Sequence, residues 1–185
     1  MRTELTTGTL LIRPLRAADI DAVYEAVRES IDEVAPWLPW CHSDYSKEET
    51  SRFILSREEA WRSEEEFSFG VFDSATGLFL GGVGLNQIKR MYQMANLGYW
   101  VRTSRAGRGV ASLAARRVAR FGFDALGLQR IEIVAALGNR ASQRAAEKTG
   151  ALREGILRKR LLVNGQPQDA VLYSLVAEDM NNQSE

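Results

Sequence analysis

Residues 104–112, SRAGRGVAS, set Arg105 and Arg108 among Gly107 and Gly109 directly before a run of strong helix formers, LAARRVARFGF. A helix start presents unpaired amides and positive dipole character, and glycines let those amides approach a ligand without a Cβ in the way. The stretch therefore has the chemistry of an anion cradle, and equally that of a plain packed helix start. Nucleotide readings fall short, because a Walker loop needs Gly-Lys-Ser/Thr and a dinucleotide fingerprint needs a third glycine where the chain has Ser112. A second helix start, GNRAS, offers Asn139 and Ser142, either as a cap and first turn or as polar contacts to a ligand. In PWLPWCH, Trp37 and Trp40 could plug a core or wall a cleft, and His42, the only histidine, could accept a proton near neutral pH.

These residues need elements to position them. TLLIR reads as a strand ended by Pro14, and Asp19 can cap a helix to about Glu29 with Ile20, Val23, Ala26 and Val27 at helical spacing. APWLPWCHSDYS breaks the pattern. Residues 47–62 read as a helix with Phe53, Ile54 and Trp61 on one face, and FSFGVFD, LFLGGVGLNQIK and ANLGYWVR as an antiparallel meander. A long helix over 109–126 carries Val110, Leu113, Ala114, Val118, Phe121 and Ala125 as its apolar stripe, with Arg116, Arg117 and Arg120 off it. RIEIVAAL is a buried strand. A short helix stopped by Gly150 precedes a final hairpin turned by Asn164-Gly165. The order is β α α β β β α β α β β, a mixed α/β fold.

With 185 residues, 45% apolar and 26% charged, the composition is that of one globular domain. Twenty-four basic residues balance 24 acidic ones, so no overall field favours nucleic acid or a membrane surface. Cys41 is the only cysteine, which excludes an intrachain disulfide and a cysteine zinc site, and no metal is expected. The N-terminus lacks a signal-peptide core and no apolar run approaches ~18 residues, so the expected setting is cytoplasmic.

GRGVA, preceded by LGYWV and followed about 30 residues later by GNRASQRAAEKTGA, resembles the acetyl-CoA-binding core of the GNAT acetyltransferase superfamily. The start LLIRPLRAADIDAV, the segment APWLPW and the ending GILRKRLLVNGQPQDAVLYSL are similar to the RimJ/RimL group, the ribosomal-protein N-terminal acetyltransferases. The superfamily loop, Gln/Arg-x-x-Gly-x-Gly/Ala, falls on Ala106, Gly109 and Ala111, so its first position departs and Arg105 sits one residue early.

The resemblance implies a GNAT fold, a central twisted, mostly antiparallel sheet of about seven strands with flanking helices. It implies that amides of Gly107, Arg108, Gly109, Val110, Ala111 and Ser112 hold the pyrophosphate of acetyl-CoA, with Arg105 and Arg108 adding charge. Tyr99, Trp100 and Val101 would hold pantetheine by main chain, one amide polarising the thioester carbonyl. Asn139 would reach the pantetheine arm, and Ser142 the sulfur as donor to the departing thiolate. Asn96 stands where many relatives carry a glutamate, and can orient water but not take its proton. Asp169 matches an aspartate of the group, or caps a hairpin. Trp37, Trp40 and His42 would border the acceptor. The implied acceptor is the α-amino group of a protein N-terminus, with a small amine or turnover-free CoA sensing as alternatives; a homodimer is possible.

Overall fold

The computed structural model describes residues 3–163 and 165–180. The chain runs β1 (Leu5–Thr7), β2 (Leu10–Arg13), α1 (Ile20–Glu29), α2 (Ile31–Val34), α3 (Lys47–Arg62), β3 (Phe67–Asp73), β4 (Phe79–Lys89), β5 (Met94–Val101), α4 (Val110–Leu126), β6 (Arg130–Ala136), α5 (Arg140–Lys148), β7 (Leu152–Val163) and β8 (Gln166–Leu175). All eight strands join one sheet, ordered β1-β2-β3-β4-β5-β6-β8-β7, in which only β5 and β6 are parallel. The expected mixed α/β order is present with two additions. β1 is three residues of Leu-Thr-Thr, too short to show alternation, and α2 is one helical turn inside the stretch that reads as a break.

The long helix α4 packs against one face of the sheet through Val110, Ala114, Val118 and Phe121, while α1 packs on the other through Val23, Ala26 and Val27. Three residues assigned to apolar faces do not lie in the core. Leu113 is 46% exposed and Ala125 is exposed, because the stripe runs instead through Ala115, Ala119 and Gly122. Phe53, expected beside Ile54 in the core, is 40% exposed at the rim of a cleft. Small residues let α4 approach closely: a Cβ on Gly122 would stand 2.9 Å from Ile131 Cδ1 and 3.0 Å from Leu85 Cδ1.

Asp19 occupies the N-cap position of α1 without capping it. Its carboxylate instead takes two hydrogen bonds from Arg13, at 2.7 and 2.8 Å, and one from the Arg16 amide at 2.7 Å, tying β2 to the helix start. Two of the arginines on α4 also have structural partners: Arg116 donates to the carbonyls of Thr149 and Met180, and Arg120 to that of Met180. Asn164, half of the expected hairpin turn, lies outside the described residues, while Gly165 has the left-handed φ of +73° that such a turn uses. Among the described residues no helix is long and apolar enough to cross a membrane.

Candidate active site

The parallel strands β5 and β6 pair only over Met94–Asn96 with Arg130–Glu132 and then part, leaving the β6-facing edge of β5 without a strand partner from Leu97 to Val101. The gap opens into a cleft of about 1280 Å³ that runs between the start of α4, the start of α5 and the α1–α3 side of the sheet. Its size suits an extended ligand with a second substrate beside it. Tyr99, Trp100, Val101, Arg105, Gly107, Gly109, Val110, Ala111, Ser112, Asn139 and Ser142 line it, as do Asn96, Trp37, Trp40 and His42. The structure thus brings nearly all the expected site residues together.

At one end the cradle fits a phosphate. Gly107 and Gly109 have φ of +76° and +82°, and no atom lies within 4 Å of a Cβ placed on Gly107, so open space faces the helix start. Arg105 lines this end and brings cationic charge to it, while its Nε is buried without a hydrogen-bond partner among the described residues. Arg144 and Lys148, one turn apart on α5, add cationic charge to the lining, and neither is among the site residues expected from the sequence. Arg108 faces elsewhere, onto a neighbouring cleft of about 160 Å³ that it shares with Arg105 and Asp73.

Between cradle and acceptor side stands α5. Asn139 caps it, its Oδ1 accepting from the Ser142 amide at 3.0 Å, and both residues also face the cleft. The Tyr99 side chain crosses the gap, its hydroxyl donating to the Ser142 carbonyl at 2.8 Å and lying 3.3 Å from Ser142 Oγ. Burial pushes the Tyr99 phenol up to about 12. The family resemblance implies only a main-chain role for Tyr99, and the side-chain contact is additional.

The acceptor side is aromatic and polar. Trp100 packs edge-on to Trp40 at 5.6 Å, and its indole covers Gly82, where a Cβ would come within 2.7 Å of Nε1. Trp37 lies over Gly138, 3.4 Å from the position of a Cβ there, and so spans from the α2 side to the loop before Asn139. His42 Nε2 is 3.0 Å from Glu49 Oε1. Cys41 is buried and burial raises its thiol, which fits a packing role. Asn96 and Asn86 are cross-strand partners joined by a hydrogen bond, Asn96 Nδ2 donating to Asn86 Oδ1 at 2.9 Å. Asn86 was not anticipated; the meander's register, which sets it opposite Asn96, is the signal that finds it.

Asp169 is not brought to the cleft. Its Oδ1 accepts from the Lys159 amide at 2.8 Å, inside the irregular stretch of β7 between Leu157 and Leu161, where Lys159 has φ of +51°. The carboxylate holds that bulge, which is the hairpin-cap reading of the residue.

A clamp joins the end of α1 to the loop between β5 and α4. Glu29, at the end of α1, accepts from Arg102 Nε at 3.0 Å, from Arg102 Nη2 and from the Ser104 amide at 2.8 Å; Ser30 Oγ accepts from the Thr103 amide at 3.0 Å. The Arg102 guanidinium, helped by the Ser104 amide, holds the Glu29 carboxyl at about 2, below its ordinary 4.5. A depressed carboxylate pKa contributes stability above the unfolded value, and the contribution fades as pH falls from about 4.5 towards 2. Glu29→Gln is expected to cost about 1–2 kcal/mol at neutral pH, reduced by the solvent that reaches Glu29. Thermal melts of the two proteins should differ at neutral pH and converge across that acid window.

Residues 9–152 match the family model for the acetyltransferase (GNAT) domain. The chain belongs to the GNAT acetyltransferase family. It is 31% identical over 173 residues to the "Probable N-acetyltransferase YjcK" of Bacillus subtilis (strain 168), covering 92% of this chain and 96% of that one. It is similar to Mycobacterium smegmatis RimJ in complex with CoA-disulfide, at 26% identity and TM-score 0.83, covering 99% of this chain and 90% of that chain. RimL, ribosomal L7/L12 α-N-protein acetyltransferase in complex with coenzyme A, shares the fold at 20% identity and TM-score 0.87, covering 96% and 99%. The protein is a GNAT-type N-acetyltransferase with RimJ/RimL-like relatives, and the sheet is the GNAT fold with eight strands where about seven were expected.

Proposed function

We propose that this GNAT enzyme transfers the acetyl group of acetyl-CoA to the α-amino group of a protein N-terminus. The observation that carries the reading is the edge of β5 from Leu97 to Val101, which has no strand partner among the described residues, beside a glycine cradle lined by Arg105. In this reading amides of residues 107–112 hold the pyrophosphate, with Arg105, Arg144 and Lys148 adding charge. Main chain at Tyr99–Val101 holds the pantetheine arm, and Asn139 and Ser142 face it from α5. A likeness to RimJ in complex with CoA-disulfide supports the cofactor, and relatives named as ribosomal acetyltransferases support the protein acceptor. Acetyl-CoA supplies the activated acyl group; the chain supplies position, polarisation of the carbonyl and exclusion of water.

A second reading, a small cationic amine as acceptor, draws on Glu33, Glu49 and Glu66, which line the acceptor side while Arg105, Arg144 and Lys148 line the cofactor side. Thiol release from acetyl-CoA, with product masses, separates the readings across a panel of unblocked N-terminal peptides, Nα-blocked lysine peptides and polyamines. Acetylated N-termini support the proposal. Polyamine products alone favour the second reading, and acetyl-CoA binding without thiol release leaves a sensor. With the best acceptor, Trp40→Ala is expected to raise the acceptor KM about tenfold, the scale of one lost aromatic contact, and to leave that of acetyl-CoA unchanged. Equal rises in both would make Trp40 a core plug.

A further inference from the structure

We propose that Asn86 is a catalytic donor to the thioester carbonyl oxygen, aimed by Asn96 as a positioning residue; the proposal rests on the acetyl-transfer reading. The two asparagines are direct register partners on β4 and β5, so their side chains stand on the same face of the sheet. An amide has its acceptor on one side and its two donor protons on the other. Asn86 Oδ1 is taken by Asn96 Nδ2 at 2.9 Å, which turns Asn86 Nδ2 away from Asn96. That nitrogen lies 3.8 Å from where a Cβ on Gly98 would be. Gly98 is cross-strand to Gly84, so neither residue of that pair puts a side chain on the floor. It also lies two residues beyond Asn96, where the last β5–β6 pair, Asn96 with Glu132, gives way to the open edge. Asn86 and Asn96 both line the cleft, and among the described residues no acceptor takes the Asn86 Nδ2 protons. A pair of fixed N–H dipoles therefore hangs over the point where the gap begins.

The chemistry that fits such a donor is charge building on oxygen. As the neutral amine attacks, its N–C bond forms, the C–S bond breaks, the amine proton leaves to water and the departing thiolate takes up a proton. Negative charge grows on the carbonyl oxygen before the sulfur leaves, and a prealigned donor in a water-poor site stabilises it. Neither asparagine takes a proton, so the pair polarises and does not deprotonate. The arrangement also gives residue 96 a reason to be an amide: a carboxylate there has no proton for Asn86 Oδ1, and would draw the Asn86 NH2 onto itself, leaving an oxygen facing the substrate.

Asn86→Asp keeps an oxygen to accept from Asn96 and removes the donor. It is expected to lower kcat about ten- to a hundredfold with little change in the acetyl-CoA KM, less than a whole oxyanion hole because a β5 amide shares the oxygen. Isotope-edited infrared spectra of bound acetyl-CoA give a readout independent of turnover. The thioester C=O stretch should lie below its solution value in wild type and return towards it in Asn86→Asp, in the uncharged Asn86→Ala, and in Asn96→Asp, whose amide partner flips. An unchanged stretch and kcat in folded Asn86→Asp and Asn86→Ala would overturn the proposal. So would a rise in turnover with a new acidic limb in Asn96→Asp, because residue 96 would then be the seat of a base. If wild type acetylates no amine yet the stretch still depends on Asn86, the polarising contact stands and the transfer reading falls.

Discussion

Gly109→Asn is expected to weaken acetyl-CoA binding about a thousandfold, the worth of two charge-assisted hydrogen bonds, while leaving the melting temperature nearly unchanged. The helix α4 begins at Val110, with Gly109 in the left-handed region at φ +82° and the nearest non-neighbouring atom, Leu113 Cδ1, 4.0 Å from the position of its Cβ. Among the described residues nothing fills that space, and Gly109 lines the cleft, so in the proposed reading a side chain there competes with the pyrophosphate. Asparagine tolerates positive φ, whereas a β-branched residue does not. Gly109→Val should therefore lose the same affinity and, unlike the asparagine variant, also lose about 1–3 kcal/mol of stability to backbone strain. Calorimetric titration with acetyl-CoA alongside thermal melts separates the two effects. Unchanged affinity in Gly109→Asn would make the loop a helix start and nothing more.

Local chemistry in the sequence marks the glycine-bearing start of α4, because glycines before helix formers act over a few residues. The same holds for α3, whose Ser46 to Glu49 capping box starts the helix at the residue where periodicity places it. What stayed hidden depends on register. Asn86 gains its meaning from a partner ten residues away across a hairpin, and Trp37 from lying on Gly138. The direction of a helix face was equally obscure: Arg144 and Lys148 point into the cleft while Arg116 and Arg120 hold backbone carbonyls, and no local feature tells the pairs apart. Asp169 shows the converse. Its type and place suggested catalysis as readily as a cap, and only the bulge at Lys159 gives it a partner.

Ser142→Ala is expected to lower kcat about a hundred- to a thousandfold while acetyl-CoA still binds. The Tyr99 hydroxyl gives its proton to the Ser142 carbonyl at 2.8 Å, so its longer 3.3 Å contact with Ser142 Oγ is best satisfied by the serine proton. The serine is thus a donor held in place, ready for a more basic acceptor, and a departing thiolate is one. Since burial pushes the Tyr99 phenol up to about 12, the tyrosine stays protonated through the working range and adds no titration step of its own. Tyr99→Phe should cost less than Ser142→Ala, because it frees the serine proton rather than removing it. Asn139 caps α5 through its own Oδ1 and the Ser142 amide, a backbone group the alanine variant keeps, so the helix start should survive. Rate against pH should then rise until the acceptor amine is neutral, with the same shape in wild type, Ser142→Ala and Tyr99→Phe, and His42→Ala and Asp169→Asn should each cost less than Ser142→Ala. His42 sits against Glu49 and Asp169 against the Lys159 amide, both engaged in contacts that a proton carrier would have to leave. If His42→Ala abolishes turnover and removes a limb that the wild-type profile carries, this engagement is broken during the reaction and the imidazole, rather than water, removes the amine proton.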